Sequence, residues 1–173
     1  MPAVKTEANP KRFALITVSL MGLTLFSSAN AEPDFKRIAE TLAAGIIKQG
    51  PVKVAVLTFP HHDHHKSEGP LIISEFVASA LAANKKVSVV ERHKLNQVLE
   101  EMRLSQTSVM DPQSVQAIGR TLGADIIVTG TIINLPNNKC EVNARALLAG
   151  SGRVIAAERS FADVTWPERR RLD

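Results

Sequence analysis

The segment His61-His62-Asp63-His64-His65 combines four imidazoles and one carboxylate, the side-chain types that bind transition metals. Neutral ring nitrogens and an anionic oxygen suit Zn²⁺, Cu²⁺ or Ni²⁺. The spacing matches no closed structural site, because the ligands of such sites usually come from separated elements. Two interpretations therefore stay open, a metal-binding loop and a solvated loop between two elements.

The familiar catalytic motifs are missing from the sequence. It contains no G-x-G-x-x-G, Walker, G-x-S-x-G or H-E-x-x-H pattern. Glu100 and Glu101 are adjacent on a predicted helix and point in different directions, so they make a poor acid–base pair. Arg92 and His93 begin the same helix, where a packing or capping role is expected. We therefore expect a protein that is not an enzyme and needs no cofactor; a hydrolase or transferase with a dispersed site is the alternative.

The histidine segment is placed by a strand before it and a helix after it. Residues 52–59 are mostly apolar and β-branched, which predicts a buried strand that Pro60 ends. A polar loop at 61–69 follows, and then a helix at 70–83. Apolar residues at helical spacing predict the buried face of this helix: Ile73, Phe76, Val77, Ala80 and Leu81. The loop therefore lies at the carboxyl end of a strand, where crevices that bind ligands often form.

Residues 87–133 predict a strand, two helices and a second strand. Asp111 and Pro112 suit the N-cap and the first position of the second helix. Gly123 suits its left-handed C-cap. Gly130 in the second strand indicates a bulge or a close approach of another backbone. Apolar stripes predict the buried faces of the two helices: Leu95, Val98, Leu99 and Met102 in the first, and Val115, Ile118 and Leu122 in the second.

The segments on either side complete a sheet packed by helices. Residues 140–148 and 153–161 flank Gly150-Ser151-Gly152 and predict a β-hairpin. Cys140 is the only cysteine, which excludes an intramolecular disulfide, and it is expected to be a small buried residue. A first helix, ending before Gly50-Pro51, is predicted from the stripe Phe35, Ile38, Leu42 and Ile46. The predicted fold class is α/β, a mixed sheet with helices packed on it that ends in an antiparallel β-hairpin.

The first 31 residues are typical of a secretory signal peptide. Lys11 and Arg12 precede a largely apolar run of 14 residues at 13–26, and Ala29-Asn30-Ala31 is a cleavage site of the A-x-A type. This run is shorter than the about 20 residues that a membrane-spanning helix needs, which favours the signal peptide. A single membrane anchor is the alternative. No cysteine stands at the expected cleavage site, so we expect export to the periplasm without a lipid anchor.

Charge and aromatic content argue against nucleic acid as a partner. The formal net charge is +4, and it falls to +2 without the first 31 residues. Aromatic residues make up 4% of the chain and tyrosine is absent, which leaves few platforms for stacking bases.

We divide the chain into a signal peptide at 1–31, a single domain at 32–165 and a basic tail at 166–173. Contact of Arg169-Arg170-Arg171 with anionic lipid at the outer membrane is the alternative to a frayed tail.

Four segments of the sequence carry a family resemblance. Residues 54–59 match a V-A-V-L-x-F strand, and residues 91–101 match an E-R-x-x-L-x-x-V-L-x-E helix. Residues 111–130 match a D-P segment with G-x-x-x-G-A-D that runs into V-x-G, and residues 151–157 match the x-x-G-x-V of a final hairpin. Across residues 52–160 the chain resembles the CsgG/FlgO family, named after a curli-secretion protein and a flagellar outer-membrane protein.

The resemblance implies a CsgG-like α/β domain, also related to LpoB and to the amino-terminal domain of TolB. Members of this group are envelope assembly or accessory proteins rather than enzymes. We therefore expect a non-enzymatic interaction module that binds envelope proteins of a flagellum, of curli or of another secretion or cell-wall assembly; a homo-oligomer is left open. The long hairpins from which CsgG builds its pore have no counterpart here. The alternative function is a periplasmic metal-binding protein that uses His61, His62, Asp63, His64 and His65.

Overall fold

Five strands and four α-helices make up the fold in a computed structural model that describes residues 35–104 and 111–167. The elements are α1 (Phe35–Ile46), a 3-10 turn (Ile47–Gln49), β1 (Val52–Val56), α2 (Gly69–Ala82), β2 (Val87–Val89), α3 (Arg92–Glu101), α4 (Pro112–Leu122), β3 (Ile126–Leu135), β4 (Lys139–Leu148) and β5 (Val154–Asp163). The strands form one sheet in the order β2-β1-β3-β4-β5. Strand β1 pairs in parallel with β2 and β3, whereas β3, β4 and β5 are antiparallel. The predicted α/β class, mixed sheet and final hairpin are confirmed.

Helices pack on both faces of the sheet and bury two apolar clusters. Helices α1 and α2 lie on one face, and α3 and α4 lie on the other. The first cluster includes Leu42, Ile46, Val77, Val128 and Ile132, and the second includes Ala55, Leu57, Leu99, Ile118 and Ile127. Because adjacent residues of β3 point to opposite faces, this strand contributes to both clusters.

Helix α4 begins and ends at the residues that its sequence predicts. The Asp111 carboxylate accepts a hydrogen bond from Ser114 N at 2.9 Å, and Pro112 follows at the first helical position. Gly123 ends the helix with φ 60° and ψ 35°, the left-handed conformation that glycine adopts readily. These local predictions are confirmed.

Gly130 allows a close approach rather than forming a bulge. The register between β3 and β4 is regular throughout, with Gly130 opposite Ala144. A Cβ atom at position 130 would lie 2.6 Å from the carbonyl oxygen of Asn143 and 2.7 Å from the ring of Phe59. The irregularity in this part of the sheet lies between Ala146 and Leu147, where β4 pairs with β5.

The predicted buried face of α2 is partly wrong. Phe76 is 36% exposed, and Ala80 is also exposed, whereas Ser74 is fully buried beside Ile73 and Val77. The apolar pattern missed Ser74 because a serine can be buried where its hydroxyl finds partners. The Ser74 hydroxyl donates to the carbonyl of Leu71 at 3.0 Å.

Trp166 belongs to the core, although its sequence context predicts that it lies in the basic tail at 166–173. Its side chain is 5% exposed and lies in the same cluster as the apolar residues of α1 and α2. Its ring centroid lies 6.4 Å from that of Phe35. It packs so closely over Gly69 that a Cβ atom there would lie 2.3 Å from the indole ring. The chain therefore returns after β5 to cover the beginnings of α1 and α2.

No helix among residues 35–104 and 111–167 is both long and apolar enough to cross a membrane. The predicted signal peptide at 1–31 and the predicted arginine cluster at 169–171 lie outside the described residues.

Candidate functional site

The histidine segment begins as a buried continuation of the sheet. The regular pairing of β1 ends at Val56, three residues before the predicted end at Phe59, but the chain stays beside β3. His61 forms an isolated parallel bridge with Ile132, and His62 N donates to the Ile132 carbonyl at 2.8 Å. His61 is 1% exposed, and its Nε2 lies 2.7 Å from Ser67 Oγ. Strand β3 and Ser67 therefore hold this imidazole in place.

A tight turn brings His65 back onto His61. His64 has φ 59°, and its backbone N–H donates to the His61 carbonyl at 3.0 Å. The ring centroids of His61 and His65 are 3.7 Å apart, and the rings are inclined by 34°. His65 Nδ1 lies 2.6 Å from Asp63 Oδ1, and its Nε2 lies 3.4 Å from Asn134 Nδ2.

Three of the five predicted ligands converge. His61, Asp63 and His65 each offer one ligand atom, and these atoms lie within 4.8 Å of one another. We call these three residues the His-Asp-His cluster. His62 and His64 are exposed and do not belong to it. The loop thus brings alternate residues, His61, Asp63 and His65, to the same side of the turn.

Asp63 supplies a stable negative charge to the cluster. Its hydrogen bond with the His65 side chain lowers the pKa of this carboxyl below its usual value, and desolvation opposes the shift. The carboxylate is therefore ionised at neutral pH, and it favours a cation beside the two imidazoles.

Arg92 connects three elements behind the histidine segment. Its guanidinium donates to Glu75 Oε1 at 2.6 Å, to the Val56 carbonyl at 3.0 Å, to Thr58 Oγ1 at 3.3 Å and to Ser74 Oγ at 3.1 Å. The carboxyl end of β1, helix α2 and the start of α3 are thereby joined. The expected packing role of Arg92 agrees with these bonds, and Ser74 is the partner that the apolar pattern of α2 missed.

Replacing Arg92 with methionine is expected to lower the free energy of unfolding by about 2 kcal/mol, because charge-assisted hydrogen bonds are lost at a side chain that is only 21% exposed. Urea denaturation followed by circular dichroism measures the loss. Lys94→Met removes an exposed positive charge from the same helix and is expected to change stability by less than about 0.5 kcal/mol. Equal losses in the two variants would contradict the connecting role.

Most of one side of β4 and β5 stays uncovered by the helices among the described residues. Helix α1 packs on the opposite side, and α3 and α4 pack mainly over β1 and the start of β3. We call this uncovered side the open face; it consists of Thr131, Ile133, Glu141, Asn143, Arg145, Ala157, Arg159 and Phe161. The alternation of polar and apolar residues in β4, which is visible in the sequence, is the signal that would have predicted it.

Two arginines give the open face its chemical character. Arg145 lies opposite Ala157, and Arg159 lies opposite Asn143, so the two arginines are diagonal neighbours on one side of the sheet. They border a groove of about 540 Å³ that Thr131 and Asn143 also line. Arg159 lies 5.6 Å above the ring of Phe161. Among the described residues neither arginine forms an ion pair. This groove can accept carboxylate groups.

A known protein family matches this chain. The model of the family described as curli production assembly/transport component CsgG matches residues 58–152. The match lies inside the segment of the predicted resemblance and confirms it. No curated protein matches the chain.

Solved structures share the fold at low sequence identity. The LpoB C-terminal domain from Salmonella enterica has a TM-score of 0.60 and 17% identity, over 75% of this chain and 98% of that domain. LpoB from Escherichia coli has a TM-score of 0.58 and 14% identity, over 94% of this chain and 88% of that one. Lipoprotein GNA1162 from Neisseria meningitidis has a TM-score of 0.54 and 11% identity, over 65% and 81%.

Proposed function

We propose that this chain is a non-enzymatic accessory protein that works in the periplasm by binding other envelope proteins. The chain belongs to the family described as curli production assembly/transport component CsgG. Family membership and the fold shared with LpoB support a role in envelope assembly. The signal-peptide pattern at 1–31 supports export. The envelope assembly that it serves would be a flagellum, a curli apparatus or another secretion or cell-wall assembly.

The residues of the open face support a function that works by binding another protein. The open face presents two arginines and an aromatic ring on a sheet, and arginine and aromatic residues, phenylalanine included, are enriched at protein interfaces. The Phe161 ring under Arg159 favours an ordered guanidinium, which reduces the entropy lost on binding. The open face can thus offer a partner preformed contacts.

Charge indicates what kind of partner fits the open face. Glu158 follows Ala157 in β5 but points to the other side, where Arg37 Nε and Thr41 Oγ1 bind its carboxylate at 2.9 and 3.1 Å. Glu141 accepts a hydrogen bond from Asn143 at 2.9 Å. Glu158 is therefore engaged on the other side, and within residues 35–104 and 111–167 Arg145 and Arg159 form no ion pair, so two guanidinium groups share the open face with the single carboxylate of Glu141. The occupant we propose is an acidic segment of another envelope protein, which can form bidentate bonds with both arginines.

Site-specific crosslinking in living cells tests this proposal. A photo-crosslinking amino acid replaces Ala157, an exposed residue of the open face, in the full-length chain. We expect a crosslink to one envelope protein through an acidic segment. The double variant Arg145→Glu/Arg159→Glu should reduce the yield by about tenfold or more, because like charges would then face each other.

A matched control reverses two exposed charges elsewhere on the chain. Lys85→Glu/Lys94→Glu makes the same change in net charge outside the open face and should leave the crosslink unchanged. Equal losses in both double variants would overturn the proposal. A crosslink formed only between copies of this chain would overturn it too, since the occupant would then be a second copy.

A further inference from the structure

We propose that the His-Asp-His cluster is a binding site for one Zn²⁺ ion. This inference is independent of the envelope role, because the cluster does not belong to the open face. Two imidazoles and one carboxylate are ligands that Zn²⁺ commonly takes in proteins, with water at a remaining position. Their ligand atoms lie within 4.8 Å of one another. Small shifts of the Asp63 and His65 side chains would bring the three ligand atoms around one ion.

The buried end of the cluster is built before any ion arrives. His61 is 1% exposed, and the bridge to Ile132 fixes its backbone. Ser67 Oγ lies 2.7 Å from His61 Nε2 and also accepts the backbone N–H of Gly69 at 3.1 Å. When Nε2 donates its proton to Ser67, Nδ1 carries the lone pair of the neutral ring. A hydroxyl behind a histidine orients the imidazole, and when it accepts the Nε2 proton it plays the part of the partners behind metal-binding histidines.

The exposed end of the cluster supplies charge and access. The Asp63 side chain is 65% exposed and the His65 side chain is 21% exposed, so an ion can reach them from solvent. Their mutual hydrogen bond of 2.6 Å already places the carboxylate beside the imidazole. An ion would take the place of the proton between these two groups. The change needs no movement of the sheet, because both residues lie in the loop.

The two remaining histidines of the segment make the proposal testable. If the segment binds metal only as an exposed run of histidines, each imidazole should contribute in a similar way. If the cluster is a built site, His61, Asp63 and His65 matter, and His62 and His64 do not. The structure separates the two possibilities because His62 and His64 are exposed and lie outside the cluster.

Calorimetric titration with Zn²⁺ decides between an exposed run of histidines and a built site. The protein is untagged and is expressed from the full-length gene. Cu²⁺ and Ni²⁺ are titrated in parallel, since Cu²⁺ binds most nitrogen and oxygen sites more tightly. We expect one Zn²⁺ per chain. Asp63→Asn and His65→Gln should each weaken the affinity by about tenfold to a hundredfold. The double variant His62→Gln/His64→Gln removes two imidazoles from the same segment and should leave the affinity unchanged.

Thermal unfolding gives a second readout. Zn²⁺ that binds the native state should raise the midpoint equally for the wild type and for His62→Gln/His64→Gln, and by clearly less for Asp63→Asn at the same Zn²⁺ concentration, because the affinity of that variant is lower. Asp63→Asn retains the shape of an exposed side chain, and its circular dichroism spectrum checks that the variant folds. The proposal is overturned if the wild type binds no Zn²⁺, or if the His62/His64 variant loses as much affinity as the other two.

Discussion

Replacing Trp166 with alanine is expected to lower the free energy of unfolding by about 3–5 kcal/mol, the usual loss for a large aromatic side chain in a core. The indole is 5% exposed, and it fills the space between Phe35 and the start of α2 at Gly69. Removing it leaves a cavity next to backbone that cannot collapse easily. Urea denaturation followed by circular dichroism measures the loss.

Phe161 is the matched control for Trp166. It is an aromatic residue five positions earlier, it is 47% exposed, and its ring lies under Arg159. Phe161→Ala is expected to cost less than about 1 kcal/mol, because it leaves little cavity and removes mainly a cation–π contact. Similar losses for the two variants would show that Trp166 is not a core residue.

The fluorescence of the wild type checks the same conclusion without a mutation. Trp166 is the only tryptophan in the chain, so the emission reports on this residue alone. We expect emission typical of a buried indole, poor quenching by iodide, and a red shift that coincides with the loss of circular dichroism. An indole quenched as readily as in the unfolded chain would contradict the packing.

Replacing Gly130 with alanine is expected to lower the free energy of unfolding by about 3 kcal/mol through overpacking. The new methyl group would lie 2.6 Å from the carbonyl oxygen of Asn143 and 2.7 Å from the ring of Phe59. The carbonyl belongs to the neighbouring strand, and Phe59 is fully buried, so neither can move without cost. Denaturant titration measures the loss of stability.

Two further variants separate the causes of the Gly130 effect. Gly150→Ala is the control, because a Cβ atom at that position has no neighbour within 4 Å, and we expect a change of less than about 0.5 kcal/mol. Phe59→Leu combined with Gly130→Ala should cost less than the sum of the two single changes, since the smaller side chain gives the methyl group room. Strict additivity would show that the ring of Phe59 is not the obstacle.

Local chemistry explains why so much of the fold could be predicted. Asp111 and Gly123 bound α4 through contacts with residues near in sequence, so their residue types alone identify them. The apolar stripe of α1 is buried as predicted because its spacing places Phe35, Ile38 and Leu42 on one side of a helix. The alternation along β4 and β5 and the glycines between them likewise predicted the hairpin.

The predictions that were wrong depend on residues far apart in the sequence. Ser74 is buried because Arg92, from another helix, provides the serine with a partner. Trp166 is buried because the chain returns over Gly69, which lies about a hundred residues earlier. Neither partner can be recognised from the spacing of apolar residues within one element.

Periodicity, caps and motifs are properties of neighbouring residues, so the α/β class, the CsgG family and the composition of the histidine segment could be predicted from the sequence alone. Which of the five potential ligands meet depends on contacts between distant residues, and the three-dimensional structure was needed to show it. His61, Asp63 and His65 converge because Ile132 of β3 holds the start of the loop and a tight turn returns its end. The alternation along β4 indicates which of its sides is polar, but the register between β4 and β5 was needed to show that Arg145 and Arg159 are diagonal neighbours on that side.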